Sequence, residues 1–151
     1  MPVQVLEELQ DGFVCRIRFS ADATVEVKTI SSKPPGFSGS GGISQTTMEN
    51  VQWMTQLPGA LIKVSDMTEV VAYAPAAFVK IAAMMLVNQL IAWDWPNAKF
   101  GSLWGWIETW EPGELVIGGK PTGTITILVS CIDDAGAEVG PSHNLDTDPI
   151  T

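Results

Sequence analysis

The residues of this chain with chemistry to offer are six tryptophans, one histidine, two cysteines and a scatter of carboxylates. Glu108, Glu111 and Glu114 raise the idea of a glycosidase pair, in which two carboxylates flank one glycosidic bond. Glu108 shares strand parity with Trp106 and Trp110, which would set an aromatic wall beside it. Against this, Glu111-Pro112-Gly113-Glu114 reads as a turn, and a solvated acidic rim is the plainer account. The only histidine, His143, lies in a polar stretch and reads as solvent-exposed, so no base is in view for a nucleophile. There is no G-x-S-x-G elbow and no G-x-x-x-x-G-K-[ST] loop, and Gly36, Gly39, Gly41 and Gly42 read as loop flexibility. Asp133, Asp134, Asp146 and Asp148 lack calcium-loop spacing, and Cys15 and Cys131 are far apart with no C-x-x-C unit. The expectation is no catalytic residue, no cofactor and no metal.

The tryptophans allow three readings. Five of the six fall within residues 93–110. Strand parity puts Trp104, Trp106 and Trp110 on one face, and Trp93 and Trp95 on one face of the partner strand. Rings so placed pack across a hairpin as an aromatic core, anchor a subunit interface, or form a platform for stacking sugars. Cys15 and Cys131 fall on apolar strand faces, where buried thiols act as small hydrophobes; a disulfide between them is the alternative.

Strands must position these residues. Phe13, Cys15, Ile17 and Phe19 alternate with Arg16 and Arg18, and Val25 and Val27 alternate with Glu26 and Lys28. Residues 33–50, with Pro-Pro-Gly-Phe-Ser-Gly-Ser-Gly-Gly at their head, have no periodicity and read as a long loop. Loops beyond about 12–15 residues in a compact domain are usually functional or disordered, and Phe37 and Ile43 are poorly suited to a solvated linker. Strand patterns resume at residues 60–64 and 69–73. A helix over about 75–88 follows, opened by Pro75 and apolar nearly all round, with Lys80 its only charge. Such a helix is expected to be buried on most sides. A hairpin over residues 90–95 and 100–110, turning through Pro96-Asn97-Ala98-Lys99, precedes a last strand over 122–132, with Ile125, Ile127, Val129 and Cys131 on one face. Residues 133–151 read as a loose acidic tail. The prediction is one domain over 1–151, mainly β, sandwich- or barrel-like, with one flanking helix.

Charge narrows the partners. Charged residues make up 17% of the 151, against about 25% in an ordinary globular domain. A surface short of charge is often one covered by other protein. The net charge is −9, and residues 101–151 hold eight acids against Lys120 alone. That excludes a protein gripping nucleic acid through clustered Lys and Arg, and disfavours anionic membranes. The longest apolar stretch is too short to span a bilayer, and the first residues lack the basic and apolar regions of a signal peptide. A soluble protein made in the cytoplasm is expected.

Several stretches, taken in order, resemble one family. They are Gly41-Gly42-Ile43-Ser44-Gln45-Thr46-Thr47-Met48-Glu49-Asn50, Trp53-Met54-Thr55, Leu57-Pro58-Gly59 and Val71-Ala72-Tyr73-Ala74-Pro75, then Gly105-Trp106-Ile107, Glu111-Pro112-Gly113-Glu114 and Pro121-Thr122-Gly123-Thr124-Ile125-Thr126-Ile127. Together they resemble the tail tube (major tail) proteins of long-tailed bacteriophages, chiefly the non-contractile type. The resemblance covers roughly residues 33–130. It implies a structural virion protein whose hexameric rings stack into a hollow tube, a conduit for DNA into the host. The implied partners are further copies of the chain, tape-measure, tail-tip and tail-terminator proteins, and DNA only as passing cargo. No membrane or small-molecule substrate is implied, and the place is the phage tail, assembled in the host cytoplasm. The inter-subunit residues expected on the loop are Phe37, Ile43, Thr46, Thr47, Met48, Glu49, Asn50 and Trp53. Glu108 and Glu111 are the acids expected to face the lumen. The alternatives are the tube subunit of a phage-derived injection or secretion device and, in another class, a Trp-rich carbohydrate-binding β-sandwich.

Overall fold

The computed structural model describes residues 16–72, 75–95 and 99–150. Its elements in chain order are β1 (Arg16–Phe19), β2 (Asp22–Lys33), β3 (Phe37–Gly39), β4 (Gly42–Ser44), β5 (Gln56–Pro58), β6 (Ile62–Val64), β7 (Met67–Ala72), α1 (Pro75–Met84), β8 (Gln89–Asp94), β9 (Phe100–Pro112), β10 (Thr122–Val129) and β11 (Ser142–Leu145). The fold is mainly β with one helix, as the patterning implies.

Six strands close a ring. β1 pairs with β2 and β8, β2 with β7, β7 with β10, β10 with β9 and β9 with β8, all antiparallel. Alternation explains the wall. Ile17 and Phe19 of β1, Met67 and Val71 of β7, Ile91 of β8, Leu103 and Ile107 of β9, and Ile125 and Ile127 of β10 all point inward and are fully buried. The ring also has two distinct mouths. Lys33 pairs with Thr68 at one, where β2 ends and β7 begins. Ala72 pairs with Thr122 at the other, where the β9–β10 turn and the start of α1 lie.

Four expectations change. The helix runs ten residues rather than about fourteen, because Leu86 adopts a left-handed φ of 61° and its N–H goes to the Ile107 carbonyl at 3.2 Å. It is also not buried on most sides: Ile81 and Met84 are buried and Ala77 packs against the core, while Phe78 and Val79 stay exposed. The last strand stops at Val129, since Cys131 takes a left-handed φ of 54° and leaves the core face. Cys131 is a free, half-buried thiol, pushed up in pKa by burial and then by the nearby Glu138. Finally, the segment expected to be a loose acidic tail carries β11, which pairs with the first residues of β9. Because Cys131 is free, the alternative of a disulfide to Cys15 does not form; Phe13 and Cys15 themselves lie outside the described residues, as does the turn at residues 96–98.

The C-terminal segment covers a face that the β1 pattern assigns to solvent. Arg18 is buried; it bonds Asp94 at 2.7 Å, pairs with Asp148 and lies 5.6 Å over the Phe100 ring. Arg16 reaches the other oxygen of Asp94 at 3.0 Å. Lys99 pairs with Asp146. Burying one charge alone would cost several kcal/mol, so these groups come as a network.

Candidate assembly surface

The stretch expected to be a loop is half of a long β-ribbon. β3 pairs with β6 (Phe37↔Val64, Gly39↔Ile62) and β4 with β5 (Gly42↔Pro58, Ser44↔Gln56). Backbone bonds between the two pairs, Ser40 N–H to the Leu61 carbonyl at 3.1 Å and Gly59 N–H to the Gly41 carbonyl at 2.9 Å, make them one continuous arm. Gly41 sits at φ 97°, where a side chain would be strained, and turns the ribbon between its two halves. The glycines that hide any period in the sequence are those that let the legs approach: a Cβ on Gly42 or Gly59 would collide with Gln56 or Ser40.

All eight residues expected to contact a neighbour lie on this arm. Phe37 sits at its root and Ile43 midway, each 59% exposed, and Trp53 near the tip is 74% exposed. Met48 and Val51 are fully exposed, and most of the other side chains from Phe37 to Ile62 are exposed. Nine large apolar side chains project from the arm, and residues 36–62 hold one charge, Glu49. The polar tip residues hold the tip itself. Asn50 Oδ1 accepts from Thr47 N–H at 2.7 Å, Asn50 Nδ2 donates to the Trp53 carbonyl at 3.0 Å, and Thr55 N–H donates to Thr46 Oγ1 at 3.2 Å.

Glu108 and Glu111 are not brought together with the arm; they stand exposed on the far half of β9. Glu108 accepts from Trp106 Nε1 at 2.7 Å. Here parity fails for a definite reason. Ile107 faces Ile127 but Thr109 faces Thr126, so Glu108 is an extra residue, a β-bulge. Beyond it Trp110 turns to the core side, beside Ile125 and 6.4 Å from Phe78, and away from the Trp104 and Trp106 face. The cross-hairpin stack of tryptophans does not form either. Trp93 lies opposite Gly101 and is buried in the core, with Trp95 edge-on at 6.5 Å. A Cβ at Gly101 would fall inside the Trp93 indole. The shared aromatic face expected for Trp104, Trp106 and Trp110 is thereby broken up, and three of the rings, Trp93, Trp95 and Trp110, lie in or against the core.

Two residues escaped sequence reasoning. Glu69 is fully buried on β7, between Met67 and Val71 on the inward parity. Ser32 donates a hydrogen bond to its Oε1, and Oε2 has no partner among the described residues. Burial pushes its pKa to about 7, against the hydrogen bonds from Ser32 and Thr29 that lower it. The signal was present in the sequence: an acid on a parity otherwise held by Met67 and Val71. His143, expected in solvent, is half-buried on β11 with rings on both sides, Phe37 and Trp93, each 5.6 Å away. Among the described residues no cluster of His, Cys, Asp or Glu could hold a metal, and no helix is long and apolar enough to cross a membrane.

The molecule is thus a small antiparallel β-barrel with one flanking helix and a protruding apolar ribbon. No protein-family model matches the sequence, and no curated protein matches it. Solved structures share its fold. One is a chain in the cryo-EM structure of an extracellular contractile injection system, PVC sheath/tube terminator in extended state, with TM-score 0.62 and 11% identity over 83% of this chain and 96% of that one. Another is a chain in the cryo-EM structure of the anti-feeding prophage (AFP) baseplate, with TM-score 0.61 and 8% identity over 83% of this chain and 93% of that one. The chain therefore has a fold found in components of phage-tail-like injection particles, and both of these come from contractile or prophage-type systems rather than from a non-contractile tail.

Proposed function

We propose that this chain is a structural subunit of a tail tube, assembling with copies of itself into stacked hexameric rings. The arm carries the reading. A two-stranded ribbon with no core of its own is at best marginally stable in water, and nine exposed large apolar side chains make it less suited still to a lone monomer. Packing the arm against neighbouring copies supplies the missing burial. The charge deficit has the same cause, because the least charged part of the surface is the part to be covered.

In this reading Glu108 and Glu111 contribute to an acidic wall. Such a wall repels phosphate, and screening over about 8 Å at physiological salt keeps that repulsion short-ranged, so DNA slides without sticking. Tape-measure, tail-tip and terminator proteins are the remaining partners, and the particle is the site of action. A second reading is favoured by the two solved counterparts: a tube or terminator subunit of an injection device that carries no DNA.

Electron microscopy of the pure protein tests the proposal. Hollow tubes with a regular ring repeat are expected; a monomer at all concentrations that is also absent from purified particles would overturn it. Nucleic acid content of the intact particle separates the phage tail from the injection device.

A further inference from the structure

The arm joins the barrel at a narrow root. One leg enters through Pro34-Pro35-Gly36 and the other leaves through Ser65-Asp66. Gly36 N–H donates to Ser65 Oγ at 2.8 Å, and Ser65 N–H donates to the Gly36 carbonyl at 2.9 Å, so the legs are tied to each other there. These bonds tie the legs to each other beside a buried Pro35, and a ring contact ties the arm root to the C-terminal segment. Phe37, the first arm residue, lies edge-on to His143 at an interplanar angle of 77°. His143 in turn meets Trp93 at 67°, and Trp93 is held against the backbone of Gly101. A continuous row of rings thus runs from the arm root into the core. The middle ring belongs to neither: it is carried by β11, in the acidic C-terminal segment.

The histidine's surroundings fit packing rather than hydrogen bonding. Its Nε2 has no exposed surface and no partner among the described residues. The strand behind it is anchored, since Leu145 pairs with Phe100, Asp146 with Lys99 and Asp148 with Arg18. An anchored ring held between the arm root and the core sets an angle between them.

We propose that His143 is a latch that fixes the pose of the arm relative to the barrel, so that the arm and the C-terminal segment move as one unit. The latch is a property of the single chain and does not depend on the tube reading. A partner that pulls Phe37 off His143 frees the arm and loosens β11; a partner that grips β11 changes where the arm points.

The test measures arm pose directly. Nitroxide labels go on Met48→Cys at the arm tip and Lys28→Cys on the barrel, in the full chain with Cys15 and Cys131 replaced by Ser. Labelled protein is diluted into unlabelled chain so that only distances within one molecule are read by double electron–electron resonance. The wild-type background should give one narrow distance distribution. His143→Ala and Phe37→Ala should each broaden it to at least about twice that width, as expected when a local contact opens without global unfolding. His143→Phe, which keeps a ring, should restore the narrow form. Unfolding midpoints accompany each variant; Phe37 is outside the core, so its variant reports even where His143→Ala fails to fold. A broad distribution in the unsubstituted background, or an unchanged one in Phe37→Ala, would overturn the latch. Neither outcome bears on whether the chain forms tubes.

Discussion

The barrel and the arm are built from the same kinds of residue and treat them in opposite ways. In the barrel, Ile107, Ile125 and Ile127 lose all contact with water, and the six-stranded ring leaves its strands few free edges. In the arm, Ile43, Ile62 and Leu61 stay more than half exposed on a ribbon of two strands. The barrel's apolar residues face one another across a closed wall. Among the described residues, those of the arm beyond Phe37 stand exposed. Identical side chains therefore do different work according to what faces them: in the barrel they hold one chain together, and in the arm they are available to hold several.

The contrast can be broken from the barrel side with the largest effect. Ile107→Ala removes a fully buried side chain facing Ile127, and should destabilise the chain by about 2–5 kcal/mol in urea denaturation. Loss of less than about 1 kcal/mol would mean that the wall is not the source of stability.

Next comes Glu69, the buried acid in that wall. Its pKa rises from 4.5 unfolded to about 7 folded, so between those values the folded chain holds a proton that the unfolded chain has released. Stability is therefore greatest below about pH 4.5 as far as this group is concerned, falls as pH rises toward 7, and levels off above it. The full difference is roughly 3 kcal/mol. Between pH 5.5 and 8.5, a window that starts above the unfolded value, the wild type should lose about 2 kcal/mol of that difference, and Glu69→Gln should remove that component of the slope.

The smallest effect on stability belongs to the arm. Met48→Ala with Trp53→Ala should shift the unfolding free energy of dilute protein by no more than about 0.5 kcal/mol, as for exposed sites. The same double variant should abolish tube formation in electron micrographs. Normal tubes from it would detach the arm from assembly, whereas a large stability loss would show that the arm packs on its own barrel.

Much of the barrel was legible because period two survives wherever one face is buried. β1, β7, β10 and the first half of β9 follow from it. Trp110 was misplaced by one inserted residue at Glu108, since a bulge shifts parity and leaves no local mark in composition. The ribbon was invisible for the opposite reason. Most side chains on both of its faces are exposed among the described residues, so little imposes alternation, and Gly36, Gly39, Gly41 and Gly42 read as breakers rather than as places where two legs meet. Phe37 and Ile43 stood out through a mismatch, being too apolar for a solvated loop, whereas Trp53 entered only through the resemblance; all three are exposed on the arm. Glu69 and His143 depend on what lies opposite them in space, Ser32 in one case and Phe37 with Trp93 in the other. One sequence read in order does not display such neighbours.

The two legs of the arm do not end at its root. One continues from β2 and the other into β7, and those strands pair with each other at Thr29↔Val71 and Lys33↔Thr68 before pairing outward with β1 and β10. A tug on the arm tip is thus delivered to the barrel along the strand axes, while the ladder hydrogen bonds lie across them. Load in that direction is shear, which must break many bonds together, whereas peeling would break them one at a time. A subunit pulled by its arm is thus loaded in shear rather than peeled strand from strand.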